Sequence, residues 1–185
     1  MSLSHLLLGL LDQPASGYDL KKRFDETLRH LWSAELSQIY PALQRLEDEG
    51  HLTSTQRPST KGPAKRTYRR TAAGRRTLIA WLRADPRLDH QRVSHLAQLC
   101  FMAETRSLER TLDFLVALQD LFEERLACYH EIETMWFKSH PGFPDELEPD
   151  LFHAHLTVRA GIVRMQANVA WCRECIARVE TRARA

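Results

Sequence analysis

The chain has 185 residues, 43% hydrophobic and 27% charged, with seven Gly, eight Pro and a formal net charge of +2. That composition fits a globular, largely helical protein of one or two domains. No apolar run approaches the roughly 18 residues of a membrane span, and the opening Met1–Gln13 lacks the basic n-region and small-residue cleavage site of a signal peptide. Four cysteines, Cys100, Cys128, Cys172 and Cys175, do not make a disulfide framework in a chain this long, so reduced thiols and a cytoplasmic location are expected. The modest net charge hides an asymmetry. Residues 1–86 carry 14 Lys/Arg against 9 Asp/Glu, whereas residues 87–185 carry 12 against 15.

Leu3, Leu6, Leu7, Leu10 and Leu11 repeat at helical spacing, with Ser2 or Ser4 available as the N-cap. Asp12–Gly17 reads as a turn. A second helix is predicted over Gly17–Leu31, with Leu20, Phe24, Leu28 and Leu31 on one face. Ser37 is positioned to cap a third, whose inner face is Ile39, Leu43 and Leu46 and which Gly50 stops. Pro41 is assigned to its first turn, where few backbone donors have partners. The period then changes. Leu52–Gln56 and Arg66–Arg70 alternate as two strands of a hairpin, joined by the turn Pro58–Pro63. Thr71 caps a fourth helix, Ala72–Ala84, which Asp85-Pro86 ends. This order predicts a winged helix-turn-helix over residues 1–86: three helices, a two-stranded wing and a linking helix.

Residues 87–185 are predicted to be helical. After a short apolar segment, His95–Met102, a long helix runs from Ser107 to about Phe137, with Leu108, Leu112, Leu115, Leu118, Phe122, Leu126, Tyr129 and Trp136 on one face. Lys138–Asp150 interrupts it. A last helix over Leu151–Arg182 carries Leu156, Val163, Ala167, Ala170, Trp171 and Val179. Two such helices make an antiparallel hairpin, which exposes apolar surface unless a second subunit covers it. The fold class is therefore mainly α, with a carboxy-terminal dimerisation domain and a homodimer as the expected assembly.

Between Leu52 and Arg83 the sequence holds nine basic residues and no Asp or Glu, interleaved with Ser, Thr and Tyr. A one-sign run is commonly a solvated face, but beside a helix-turn-helix it suits a polyanion, since hydroxyls and cations both bond phosphate. No Ser/His/Asp order, glycine-rich phosphate loop or carboxylate pair argues for an enzyme. Cys172-x-x-Cys175 shares one helix face, yet a structural zinc needs four ligands and no second pair completes the set, so small buried side chains are the default and neither a metal nor a cofactor is expected.

Leu7-Leu-Gly-Leu-Leu11, Ser16-Gly-Tyr-Asp-Leu20, Gln38-Ile-Tyr-Pro-Ala-Leu43 with Leu46-Glu47 and Gly50, and Arg66-Thr-Tyr-Arg-Arg-Thr-Ala-Ala-Gly74 resemble PadR-type transcriptional regulators. The resemblance covers about residues 3–83 and continues more weakly to Trp171. It implies a dimeric, mostly repressing winged-helix protein on an inverted repeat in a promoter, with DNA released by a small, often aromatic, molecule.

In a helix-turn-helix the second helix enters the major groove with its amino-terminal residues nearest the bases. That assigns Ser37, Gln38, Tyr40, Pro41, Gln44 and Arg45 to DNA, with Arg45 or Gln44 reading a base and Tyr40 and Ser37 binding phosphate. Tyr40 also has a reading as a core aromatic. Tyr18 and Lys21 are assigned to the DNA backbone, and Lys61, Lys65, Arg66, Tyr68 and Arg69 of the wing to a flanking phosphate track or the minor groove. About eight phosphate contacts per dimer give a slope of log affinity on log salt of about −7. Phe101, Phe122, Tyr129, Trp136 and Trp171 are candidates to line an aromatic effector cavity; core packing, or dimer packing for Trp171, is the competing reading. The rival to DNA binding is a helical interaction protein whose winged domain holds a protein partner.

Overall fold

A computed structural model describes residues 3–28, 32–57, 65–86 and 93–184, with Arg57 and Lys65 described by their backbone alone. The chain forms two compact units, Met1–His90 and Gln91–Ala185. The first contains α1 (Leu3–Leu10), β1 (Ala15–Ser16), α2 (Gly17–Thr27), α3 (Leu36–Asp48), β2 (Leu52–Arg57), β3 (Lys65–Arg70) and α4 (Ala72–Arg83). The second contains α5 (Ser94–Cys100), a 3-10 turn (Met102–Thr105), α6 (Leu108–Ser139) and α7 (Pro149–Arg184). Ser2, Leu31 and the wing tip Pro58–Pro63, with Lys61, lie outside the described residues.

The first unit closes around Leu7, Leu8, Leu20, Phe24, Ile39, Leu43, Leu46 and Leu52, all essentially inaccessible to water. Each such side chain contributes about 1.5–3 kcal/mol of hydrophobic stabilisation. The helix ends follow from local chemistry. Ser16 and Asp19 form a reciprocal capping box at the head of α2: the Asp19 amide donates to Ser16 Oγ at 3.2 Å, and the Ser16 amide to the Asp19 carboxylate at 3.1 Å. Gly50 ends α3 at φ +73°, which lets the His51 amide reach back to the Leu46 carbonyl at 2.8 Å. Thr71 caps α4, accepting from the Gly74 amide at 3.0 Å. The predicted cap on α1 does not form at Ser4, which lies inside that helix.

Three further expectations change in this unit. The wing gains a third strand: β1 pairs antiparallel with β3, Ala15 opposite Tyr68 and Ser16 opposite Thr67, so the sheet order is β1-β3-β2. The residues read as a plain turn are drawn into the sheet by a tertiary pairing that local propensity does not encode. The N-cap of α3 is Glu35, not Ser37; the Glu35 amide donates to the Gln38 side chain at 3.0 Å, which starts the helix two residues early. Pro41 consequently sits in the second turn, where its missing N–H deprives the Ser37 carbonyl of its helical donor.

In the second unit α6 and α7 pack antiparallel through Tyr129, Val158, Ile162 and Met165, flanked by Phe122, Leu126, Ile132 and Trp136. Ser107 caps α6 as expected, accepting from the Arg110 amide at 3.0 Å. A Cβ at Gly161 would lie 2.5 Å from the Tyr129 ring, so the two helices meet there at glycine. His155 is buried, with its Nε2 3.3 Å from Glu133 Oε1 and its ring against Phe143. The inner face of α7 is not the predicted one. His155, Val158, Ile162, Met165, Val169 and Cys172 are buried, whereas Leu156 and Val163 are about half exposed. Helix α7 carries apolar residues on two faces, and its inner line is obscured in sequence by His155 and Gly161.

Candidate nucleic-acid interface

Helix α3 sorts its residues by face. Ile39, Ala42, Leu43 and Leu46 are buried, while Ser37, Gln38, Tyr40, Pro41, Gln44 and Arg45 are all exposed. The six residues assigned to the major groove thus share one solvent-facing surface. Tyr40 is 46% exposed, and its ring lies on Gly17: a Cβ there would come within 2.5 Å of Tyr40 Cε1. The tyrosine is therefore held from below with one flank open, which decides against a core role. Tyr18 is 68% exposed at the start of α2. Lys21 is already engaged, with its Nζ 2.7 Å from Asp25 and 3.8 Å from Glu35.

The wing departs further from its expected role. Tyr68, assigned to DNA, is 2% exposed and belongs to the core; burial pushes its phenol above the ordinary range, opposed in part by the nearby Arg66 cation. In β3 the inward parity falls on Tyr68 and the outward parity on Arg69. Arg66 stays partly exposed, but its guanidinium is tied within the protein. Its guanidinium donates to Ser54 Oγ at 2.9 Å, to Gln44 Oε1 at 3.3 Å and, at very short range, to the Glu47 carboxylate. It lies 5.4 Å above the Tyr68 ring centre. Arg70 donates to the Leu8 carbonyl at 2.7 Å, closing the end of α1. The side chains of Arg45 and Arg69, by contrast, are exposed and make no hydrogen bond or ion pair among the described residues. Lys65 is placed by its backbone on the same strand.

Neither Glu47, a motif residue, nor Ser54 has a place in the site that the sequence predicts. Their signal was faint: Glu47 lies three residues beyond Gln44 and just ahead of the long basic stretch.

The candidate effector residues separate in a similar way. Phe122 and Trp171 meet in a cleft of about 770 Å³ with His95, Arg164, Met165 and Asn168. His95 stacks edge-on against Phe122, with ring centres 5.5 Å apart. The other three are elsewhere. Phe101 is 71% exposed and Tyr129 is buried in the α6–α7 core, with Trp136 packed against it. The helical spacing of Tyr129 and Trp136 served packing. Arg164 and Asn168 are the polar groups of the cleft that the sequence did not reveal, because they lie four apart on α7 among apolar neighbours. Arg164 makes no ion pair among the described residues. The Cys172 thiol is buried, and burial raises it and Cys175 above the usual range, leaving both protonated near neutrality. Among the described residues no three His, Cys, Asp or Glu side chains converge on a metal position, and no helix is long and apolar enough to cross a membrane.

Comparison with known proteins places these sites in context. Residues 6–80 match the model of the transcriptional regulator PadR-like family, and residues 88–180 that of the virulence activator alpha carboxy-terminal region. The negative transcriptional regulator PadR of Bacillus subtilis is 28% identical, over 96% of this chain and 97% of its own. Its structure in complex with operator DNA superposes with a TM-score of 0.80 at 27% identity, covering 94% of this chain and 97% of that one. The same regulator in complex with p-coumaric acid gives 0.74 at 26% identity, covering 96% and 95%. The Vibrio cholerae virulence activator AphA gives 0.75 at 27% identity over the whole of both chains.

Proposed function

We propose that the chain, whose residues 6–80 match the PadR-like family of transcriptional regulators, is a homodimeric repressor that binds an inverted repeat in a promoter and is released by a small aromatic ligand. One observation carries the DNA reading: Ser37, Gln38, Tyr40, Gln44 and Arg45 share the exposed face of α3, in the same unit as the exposed Arg69 of the wing. The helix presents groups that bond base edges, while Arg69, with Lys65 and Lys61, neutralises phosphates. Residues 1–86 do the binding, and residues 87–185 dimerise and sense. The protein acts by binding, without a catalytic step, and works in the cytoplasm where its operator is.

Dimerisation is supported by apolar surface on the second unit. Leu121, Met135, Leu156 and Val163 are each at least half exposed, more than a lone helical hairpin would leave in water. A second copy, presenting the same patch about a twofold axis, covers it and spaces two α3 helices for two half-sites. The effector reading is supported by the relative's complex with p-coumaric acid, an aromatic carboxylate. Here Phe122 and Trp171 offer ring contacts, and Arg164 and Asn168 offer donors to a carboxylate.

A gel shift against the promoter upstream of the gene, beside random DNA, tests the first part. A retarded band on the promoter at moderate salt, lost on adding a hydroxycinnamic acid, is expected. Arg164→Ala should keep the shift and lose the release. No shift on either DNA, even at low salt, would favour a protein partner and overturn the reading; sedimentation as a monomer would overturn the dimer.

A further inference from the structure

Gln44 is the residue of the exposed α3 face whose side-chain amide is fixed at both ends. Its Nε2 donates to Asp48 Oδ1 at 2.8 Å, and its Oε1 accepts from Arg66 Nη1 at 3.3 Å. Arg66 cannot turn away, because its Nε is bonded to Ser54 Oγ and its other terminal nitrogen to Glu47. Ser54 in turn donates to the second Glu47 oxygen at 2.7 Å, closing a ring of charge-assisted bonds between α3 and the wing. The carboxamide oxygen of Gln44 therefore faces β3 and its nitrogen faces Asp48.

We propose that Arg66 is a positioning residue, clamped by Glu47 and Ser54, that fixes which way the Gln44 amide faces and so makes Gln44 select adenine at one base pair of each half-site. This rests on the DNA-binding reading. An amide has two donors and two acceptor lone pairs. Asp48 and Arg66 take one of each and leave one N–H and one lone pair in a set order. The major-groove edge of adenine offers the matching pair, N7 as acceptor and the N6 amino group as donor; guanine offers two acceptors and rejects the carbonyl. An unfixed glutamine would accept either order after a half-turn of its amide. Because the Arg66 charge is spent on Glu47, it adds nothing to phosphate binding.

Selection from a DNA library with randomised half-sites, combined with salt titrations, tests this on the full-length protein. Wild type should prefer adenine about tenfold at one position per half-site, within what a bidentate contact supplies. Gln44→Ala and Arg66→Met should each flatten that position and no other, and combining them should flatten it no further. Arg66→Lys keeps the charge but loses the fork, so the preference should stay lost while the salt slope is unchanged. Glu47→Gln, which leaves the shape and frees the arginine, should relax the same position and steepen the slope; it carries the test if Arg66→Met fails to fold. Arg66→Met weakening all sequences alike, with a shallower slope and the preference kept, would make Arg66 a phosphate contact and overturn the proposal. So would a wild-type preference that Gln44→Ala leaves intact. Binding to no DNA at all would instead overturn the function from which the assignment starts.

Discussion

Gly17 and Tyr40 meet so closely that a single methyl group would disturb them: a Cβ on Gly17 would lie 2.5 Å from Tyr40 Cε1 and 2.8 Å from Cζ. The glycine opens α2 and the tyrosine stands on α3, so this contact sets the angle at which the ring leaves the protein. Gly17→Ala should rotate the ring outward, because the tyrosine moves more easily than the two helix backbones. The expected result is about a tenfold loss of operator affinity by gel shift, roughly 1.4 kcal/mol at 25 °C, with a melting temperature within a few degrees of wild type. In a Tyr40→Ala background the same change should cost almost nothing, since no ring remains to displace.

At Gly74 the obstacle is backbone. An added Cβ would meet the His51 carbonyl oxygen at 2.3 Å, at the junction where Thr71 donates its hydroxyl proton to a neighbouring carbonyl and caps α4. A backbone carbonyl cannot swing aside as a side chain can. Gly74→Ala should cost about 2 kcal/mol by overpacking, seen as a melting temperature roughly 10 °C lower. Gly9, in α1, has nothing within 4 Å of the same position. Gly9→Ala should therefore be neutral or stabilise by up to about 1 kcal/mol through helix propensity.

The intramolecular ties of Lys21, Arg66 and Arg70 remove them from the set of cations open to phosphate. The dependence of binding on salt should consequently be shallower than the −7 that eight contacts imply. With Lys61, Lys65 and Arg69 alone acting in each subunit, a log–log slope of about −5 is expected. Arg69→Ala should weaken operator and random DNA alike and shallow that slope by about 2 per dimer, two subunits each losing one contact. Arg45→Ala should instead narrow the gap between operator and random DNA. A slope of −7 or steeper in fluorescence anisotropy would show that the tied cations are recruited.

His5 gives the first unit a dependence on acid. Its imidazole stacks on Trp81 with ring centres 4.9 Å apart, and burial holds it below its ordinary value of 6.5. As pH falls, the unfolded chain takes up this proton before the folded one does. Its contribution to stability is therefore complete above pH 6.5 and declines as pH falls through that value toward the lowered one. His5→Phe keeps the stacking and removes the proton, so the melting temperature of the variant should fall less between pH 7.5 and 5.5 than that of wild type. Parallel curves would assign the loss to other groups.

Much of the first unit was legible because its signals are local. The spacing of Ile39, Leu43 and Leu46 fixed the inner face of α3, and with it the outer face that carries Gln44 and Arg45. Gly50 and Thr71 marked their helix ends by conformation and chemistry. What stayed hidden depends on partners distant in sequence. Both parities of β3 carry basic residues, Lys65 and Arg69 on one and Arg66 and Arg70 beside Tyr68 on the other, so alternation alone could not say which faces the core. The tie from Arg66 to Glu47 spans 19 positions, and a charge run counts cations without revealing which of them are already neutralised. In α7 two apolar stripes competed, and only the presence of α6 against Val158, Ile162 and Met165 selects between them.

The short strand β1 has an effect on mechanics. Thr67 and Tyr68 are the residues of β3 with strands on both sides; outward from them, Arg66 and Lys65 pair with β2 alone. The ribbon is thus a cantilever whose fulcrum is Thr67, and a load on its outer part bears first on Ser16. Since the Ser16 side chain also closes the first turn of α2, a force that bends the hairpin is delivered to a helix end.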